Sequence, residues 1–159
     1  MDNVSRLIEE MRVLSRGDDP GRALAQICIR LREEIPHYDW VGFYIAYPQE
    51  ELLVLGPFEG APTDHVRIPY GTGICGQAAA TGNSHWVDDV NAEGNYLACS
   101  RQTKSEVVIP VYHEDRFVGE LDIDSHQRAP FTDRDHELLN GVVTISAPLV
   151  AHLADGLRP

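Results

Sequence analysis

The stretch EVVIPVYHEDRFVGELDIDS, residues 106–125, carries the pattern that decides the predicted fold. Two apolar runs flank the polar tetrapeptide HEDR, which is typical of two β-strands joined by a turn. Side chains alternate between the two faces of a strand, so Glu120, Asp122 and Asp124 would share one face. Pro110 cannot donate a hydrogen bond to a sheet, and we expect it at an edge or a bulge. The stretch therefore predicts a β-hairpin with an acidic face.

Three acids on one face of a strand allow two interpretations. The face is open to water, as acidic faces usually are, or it lines a pocket that accepts a cation or a proton donor. Glu106 opens the partner strand and would add a fourth carboxylate nearby. Carboxylates crowded away from water repel one another, so at least one of them would hold a proton near neutral pH.

The remaining pattern predicts an α+β fold with a mainly antiparallel sheet. Apolar residues recur at helical spacing over Asp2–Ser15 and about Arg22–Ile35. Residues 39–47 and 51–58 are rich in β-branched and aromatic residues and predict an earlier hairpin. Three further elements complete the order: a short helix at ICGQAAATG (74–82), a short strand at SHWVDDV (84–90) and a last helix from Thr132 to Leu153. Helices grouped at the ends of such a chain would flank the sheet.

The composition narrows the class of partner. The chain has 159 residues, the size of one domain, and a formal net charge of −12. Nucleic acids and anionic membranes attract basic surfaces, so neither is an expected partner. We find no apolar run near the length of a membrane span and no apolar signal core at the N-terminus. These observations predict a cytoplasmic protein.

The three cysteines, Cys28, Cys75 and Cys99, lack the close spacing of a disulfide framework or a zinc site. Cys28 lies in the apolar stripe of the second helix and is interpreted as a small buried hydrophobe. No HxxxH or HExxH pair occurs, so we expect no metal site.

Cys99 and Cys75 each have two interpretations. Cys99 lies in the polar loop 91–105 near Lys104, and a cation near a thiol favours the reactive thiolate. The alternative is an unreactive loop thiol. Cys75 begins the short helix, where the helix dipole also favours thiolate, or it is a small packed residue. Trp40 and Tyr44 share a face of the first strand and belong either to the core or to the wall of an apolar pocket.

Several segments in sequence order resemble a known family. They are WVGFYIAY, ELLVLGPFEG, VRIPYGTGICGQAAATG, DDV, YLACS, SEVVIPV and GELDIDS. Together they are similar to a stand-alone GAF domain of the free methionine-(R)-sulfoxide reductase family. The resemblance runs from about Asp39 to the final helix and implies a single GAF domain over residues 1–159. Its helices would occupy 1–36, and its six-stranded sheet, pocket loops and C-terminal helix 37–154.

The resemblance also implies an activity, which is reduction of the free amino acid methionine-(R)-sulfoxide to methionine. The nucleophile would be Cys99 and the glycine-loop cysteine Cys75. Acids of the site would be Glu106, Asp122 and Asp124, and the pocket aromatics Trp40 and Tyr44. The resulting sulfenic acid would become a disulfide and be reduced by thioredoxin or another thiol, without a bound cofactor. The family members are usually homodimers.

The chain departs from the family pattern at three positions. Where the family usually has its resolving cysteine, this chain has His65; Ser100 replaces the usual Asp, and Glu120 replaces an apolar residue. Cys75 or an external thiol would then resolve Cys99. Glu120 would bury an uncompensated charge or point past the pocket at the rim of the sheet. The missing cysteine leaves two alternatives to an enzyme: a GAF module that binds a small molecule without catalysis, or a partner-binding dimer.

Overall fold

The computed structural model describes residues 2–94, 96 and 102–157. The helices and strands follow the order predicted from the sequence, with one additional short strand, Arg67–Pro69, before the short helix. In chain order they are α1 (Asn3–Leu14), α2 (Pro20–Glu34), β1 (Trp40–Tyr47), β2 (Leu52–Glu59), β3 (Arg67–Pro69), α3 (Gly73–Thr81), β4 (His85–Val87), β5 (Ser105–His113), β6 (Arg116–Ser125) and α4 (Asp133–Gly156). Single 3₁₀ turns lie at Pro48–Glu50 and Val90–Ala92.

The six strands form one antiparallel sheet in the order β3-β2-β1-β6-β5-β4. The two predicted hairpins, β1–β2 and β5–β6, lie side by side, because β1 pairs with β6 at the centre of the sheet. The predicted α+β class with a six-stranded antiparallel sheet is confirmed.

The turn and a bulge between β5 and β6 together set the register of the acidic strand. Glu114 and Asp115 both have left-handed backbone conformations, with φ of 53° and 63°, as a two-residue type I′ hairpin requires. A one-residue bulge at Val118 then shifts the register, and this shifted register places Glu106 opposite Asp124. Pro110 lies beyond the part of β5 that pairs with β4, so its missing N–H costs no described ladder bond on that side. This agrees with the edge position expected for it.

The two faces of the sheet are buried under different elements. Helices α2 and α4 cover one face, α1 packs against both, and the three form the main core with the apolar residues that β1, β5 and β6 direct to that face. The other face carries a second cluster beneath α3 and β3, which contains Trp40, Tyr44, Ile68, Ile74 and Cys75. The acidic residues of β6 alternate with its core residues and therefore lie on this second face.

The last helix, α4, is the longest element of the described chain. Thr132 caps it in a capping box with Asp135. By length and composition α4 would pass as a membrane span, with a mean hydropathy of 1.3 over its apolar stretch. This qualifies the expectation that no segment approaches that length. Half of the stretch is buried against the fold, as in a core helix of a globular domain.

Candidate functional site

The centre of the second face holds an acid cluster, made up of Glu106, Glu120, Asp122 and Asp124. Their exposed fractions are 3%, 0%, 0% and 2%. The register explains their proximity: Asp124 lies opposite Glu106 on β5, while Gly42 and Tyr44 of β1 lie opposite Asp122 and Glu120. Directly opposed side chains of an antiparallel pair have Cβ atoms about 5 Å apart.

Burial decides between the two interpretations of the acidic face. The water-exposed interpretation is wrong, because α3 and β3 cover this face. Glu120 does not point past the pocket at the rim, since none of it is exposed. Neither carboxyl oxygen of Glu120 or Asp122 receives a hydrogen bond from a donor in the described parts of the chain. Buried acids without donors are costly to keep ionised.

Cys75 faces the acid cluster from the first turn of α3. Its Sγ lies 3.9 Å from Oε2 of Glu106, to which the thiol donates, and the residue is 6% exposed. A close backbone approach holds α3 in place: the N–H of Gly71 donates to the carbonyl of Gly76 at 2.7 Å. A Cβ at Gly76 would lie 2.6 Å from the carbonyl oxygen of Pro69, so only glycine fits this approach.

The electrostatics favour the packed-residue interpretation of Cys75 over the thiolate interpretation. Burial raises the pKa of this thiol well above its ordinary value, and the neighbouring Asp122, Glu106 and Glu120 raise it further. The dipole of a short helix is too weak to oppose full desolvation and several acids. In this arrangement Cys75 is a neutral thiol and a hydrogen-bond donor.

Burial raises the pKa of two acids of the cluster, Glu120 and Asp122. Burial raises the pKa of Glu120 well above its ordinary value, and the charge of Asp122 adds to the effect. Burial also raises the pKa of Asp122, while interactions with the neighbouring side chains of Glu106, Cys75 and Asp124 work in the opposite direction. The cluster therefore holds protons that isolated acids would lose at neutral pH.

An aromatic wall borders the cluster: Trp40 and Tyr44 belong to the buried second cluster, as their core interpretation predicted, and each also lines one of the cavities beside the acids. Their rings stack with centroids 6.4 Å apart, and Phe58 stacks on the other side of Trp40 at 5.3 Å. Gly42 leaves room for this wall, because a Cβ there would lie 2.4 Å from the ring of Trp40. The indole N–H of Trp40 donates to the carbonyl of Ala61 at 3.0 Å, which fixes the ring.

Two cavities adjoin the cluster. The narrow cavity has a volume of about 10 Å³, enough for about one water. Its lining residues are Tyr44, His65, Ile68, Thr72, Ile74, Cys75, Glu106 and Asp122. The wide cavity, of about 220 Å³, is lined by Arg32, Asp39, Trp40, Ala61, Gln102, Thr103, Asp124 and His126. The acid cluster thus contributes to both.

The structure brings together all the predicted site residues that it describes: Trp40, Tyr44, Cys75, Glu106, Asp122 and Asp124. The predicted nucleophile Cys99 lies outside the described residues. Cys28 is fully buried under the opposite face of the sheet, as predicted, with its Sγ 3.7 Å from the carbonyl oxygen of Pro57.

Sequence reasoning missed Tyr70, which lies close to the cluster. Burial and the neighbouring Glu120 raise the pKa of Tyr70 to about 12. His65, which stands where the family usually has its resolving cysteine, lines the narrow cavity. Its carbonyl oxygen accepts the hydroxyl of Tyr44 at 2.9 Å. The glycine loop after Tyr70 could have indicated that Tyr70 lies near the site, because this loop turns the segment back over the sheet.

Comparison with known proteins agrees with the geometry. A family model described as GAF domain matches residues 19–147. The chain is 38% identical to the free methionine-R-sulfoxide reductase of Escherichia coli (strain K12) over 120 residues, 76% of this chain and 71% of that protein. It is 42% identical to Protein YtsP of Bacillus subtilis (strain 168) over 109 residues, 69% of this chain and 66% of that protein.

A solved structure extends the match over nearly the whole chain. The X-ray structure of free methionine-R-sulfoxide reductase from Neisseria meningitidis, in complex with its substrate, matches with a TM-score of 0.85 and 32% identity. The match covers 97% of this chain and 95% of that one. The chain therefore belongs to the GAF domain family, as its sequence resemblance predicted, with free methionine-R-sulfoxide reductases among its relatives.

Proposed function

We propose that the protein reduces free methionine-(R)-sulfoxide to methionine with a cysteine thiol. The observation that carries the proposal is the enclosed acid cluster, which faces a thiol and an aromatic wall within one small volume. Relatives named for this activity support the same substrate.

The reaction begins at Cys99, whose assignment comes from the sequence resemblance. Its thiolate attacks the sulfoxide sulfur, and the oxygen must gain a proton as its bond to that sulfur breaks. The net step converts one thiol and one sulfoxide into one sulfenic acid and one methionine. A nearby cation such as Lys104 would favour the thiolate.

The acid cluster would supply the proton and hold the amino group of the substrate. Four buried carboxyl groups this close together cannot all be ionised, so one of Glu106 and Asp122 is available as the proton donor. The remaining carboxylates, including Asp124, would receive the substrate's ammonium group. Backbone N–H groups of the pocket loops would receive its carboxylate.

The aromatic wall would accept the methyl-sulfur end of the substrate. Trp40 and Tyr44 offer two stacked apolar surfaces beside the acids. Small-molecule pockets have volumes of about 300 Å³ or more, so the narrow cavity must widen to admit an amino acid. The wide cavity on the far side of Asp124 provides adjoining space.

Recycling requires a second thiol. The sulfenic acid on Cys99 would condense with that thiol to a disulfide, with release of water, and thioredoxin or another thiol would reduce the disulfide. His65 cannot fill this role because imidazole forms no disulfide. We therefore assign resolution to Cys75 or to an external thiol. We further propose that the protein acts in the cytoplasm as a homodimer.

The test is turnover of the separate R and S epimers, first with dithiothreitol and then with thioredoxin. We expect methionine from the R epimer alone and no product from Cys99→Ser. Cys28→Ala, which removes a thiol from the opposite face, should retain activity. Cys75→Ser should lose recycling by thioredoxin but still form product in the first turnover.

Two outcomes would count against these assignments. If Cys75→Ser recycles normally, Cys75 is not the resolving thiol. If neither epimer is consumed while calorimetry shows tight binding of methionine or its sulfoxide, the chain is a small-molecule binding module and the reductase proposal is wrong.

A further inference from the structure

We propose that the narrow cavity is also a site for a single thiophilic divalent cation of the Zn²⁺ class, held by Cys75, Glu106 and Asp122. These three residues, called the donor trio below, come from α3, β5 and β6. Their ligand atoms all lie within 4.8 Å of one another, and the thiol sulfur is 3.9 Å from the Glu106 oxygen.

The distances suit a small tetrahedral ion. Zinc lies about 2.3 Å from sulfur and about 2.0–2.2 Å from carboxylate oxygen, which separates neighbouring ligand atoms by about 3.5 Å. Side-chain movements that displace the ligand atoms by less than about 1 Å would therefore bring the donor trio to zinc geometry. Water, or the imidazole of His65, which lines the same cavity, would complete the coordination.

An unpartnered buried acid points to a ligand at this place. Asp122 is fully buried, lines the cavity, and receives no hydrogen bond from the described donors on either oxygen. A carboxylate in such surroundings is costly unless a cation or a proton neutralises it. A bound divalent ion would neutralise Asp122 and Glu106 together and would stabilise the thiolate form of Cys75.

The size of the cavity favours an ion over an organic molecule. A volume of about 10 Å³ accommodates one water or one metal ion but not an amino acid. The mixture of one thiol and two carboxylates favours zinc over magnesium or calcium, which prefer oxygen ligands alone.

Metal and substrate should exclude each other, a consequence that rests on the proposed reductase function. Glu106 and Asp122 would serve both ligands, and their oxygens cannot hold an ammonium group or protonate a sulfoxide while they coordinate a cation. Zinc would therefore act as a competitive inhibitor, and methionine sulfoxide would displace it.

The experiment uses the reduced full-length chain with the substitutions Cys28→Ala and Cys99→Ser, so that Cys75 is its one thiol. Titration with Co²⁺ as a spectroscopic substitute for Zn²⁺ should give a thiolate-to-cobalt charge-transfer band that saturates at one equivalent. Adding Cys75→Ser should abolish the band, and adding Asp122→Asn should weaken binding about 10–100-fold. Circular dichroism checks that each variant is folded, and Asp133→Asn is the matched surface control.

The outcomes separate the two proposals. No charge-transfer band in the single-cysteine protein, or equal metal binding after Cys75→Ser, overturns the metal site and leaves the reductase proposal untouched. Metal binding in a wild-type chain that never reduces the sulfoxide supports the site and counts against the reductase. If the protein both binds the metal and reduces the sulfoxide, but zinc does not raise the KM for the sulfoxide, then the proposed mutual exclusion of metal and substrate is wrong.

Discussion

Among single residues, Glu120 combines full burial with carboxyl oxygens that receive no described hydrogen bond. We expect Glu120→Leu to raise the free energy of unfolding by about 1–3 kcal/mol, because it removes an unsatisfied buried polar group. Urea denaturation measures the change. Glu137→Leu is the matched control, since Glu137 is exposed on α4 and its replacement should alter stability little. A loss of stability in Glu120→Leu would mean that the carboxyl group has a stabilising partner.

In the proposed reaction, Asp122 contributes to substrate binding and is a candidate proton donor. We expect Asp122→Asn to lower kcat/KM for methionine-(R)-sulfoxide by about 100-fold, because an amide cannot supply the proton. Steady-state kinetics with dithiothreitol measures kcat/KM for this variant and for the control Asp133→Asn, whose side chain is exposed on α4. An unchanged kcat/KM would remove Asp122 from the site.

Residue positions were easier to predict from the sequence than residue environments. Period-two alternation assigned Glu120, Asp122 and Asp124 to one face, but the same alternation describes a solvated strand and a buried one. Only the elements packed above the sheet decide between them. The two interpretations of Cys75 stayed open for the same reason: the sequence shows its position at a helix start but not its depth among the acids.

At the scale of single elements, β1 supports the aromatic wall through Gly42. A methyl group there would lie 2.4 Å from the ring of Trp40 and 2.8 Å from Cβ of Phe58, so the wall must shift. We expect Gly42→Ala to cost about 1–3 kcal/mol of stability and to raise the KM for the sulfoxide. Tryptophan fluorescence and kinetics report the two effects. Gly156→Ala, where the new methyl group meets no atom within 4 Å, should change neither.

The start of α4 depends on Asp135. Its carboxylate accepts the backbone N–H of Thr132 at 2.8 Å and the hydroxyl of Tyr38 at 2.6 Å, and it pairs with His37 at 2.9 Å. Burial opposes ionisation, yet the hydrogen bonds from His37, Tyr38 and Thr132 hold the pKa of Asp135 below its ordinary value of 3.8.

This arrangement predicts both a stability loss and its pH dependence. Asp135→Ala should cost about 1–3 kcal/mol at neutral pH. Because the folded pKa is the lower one, the contribution of Asp135 is complete above about pH 3.8 and disappears as the pH falls through the folded value. Unfolding curves of wild type and Asp135→Ala should therefore converge in acid. A difference that stays constant down to pH 2 would contradict the assignment; Asp133→Ala serves as the first-turn control.

The sequence predicted the elements well because each had a local signal. HEDR, with its two left-handed residues, fixed the second hairpin, whereas the pairing of Glu106 with Asp124 also depends on a bulge at Val118 that had no signal in the sequence. Gly82 ended α3, and Thr132 began α4. The pairing of β1 with β6 had no such signal, since it joins residues about 80 positions apart, and local patterns do not encode such contacts.

At the scale of the whole molecule, the two faces of the sheet have separate tasks. Three helices and the alternate residues of the strands form the main core on one face. Because this core is on one face alone, the opposite face of the sheet can hold the buried polar groups of the acid cluster. The order of motifs predicted this architecture, but the cavity volumes depend on how closely α3 approaches the sheet and required coordinates.

The proposed homodimer is a prediction for the intact protein. Sedimentation equilibrium should give twice the mass of one chain at micromolar concentration. A monomer across the working range of the assay would contradict it and would show that catalysis, if present, needs one chain alone.

The most direct test of the central claim is mass spectrometry of the reduced protein after one equivalent of racemic methionine sulfoxide. The account predicts that only the R epimer is consumed and that Cys99 is recovered as a sulfenic acid or in a disulfide. It also predicts that Cys28 stays reduced. Three reduced cysteines with both epimers intact would contradict the claim that the acid cluster and its thiols reduce the sulfoxide.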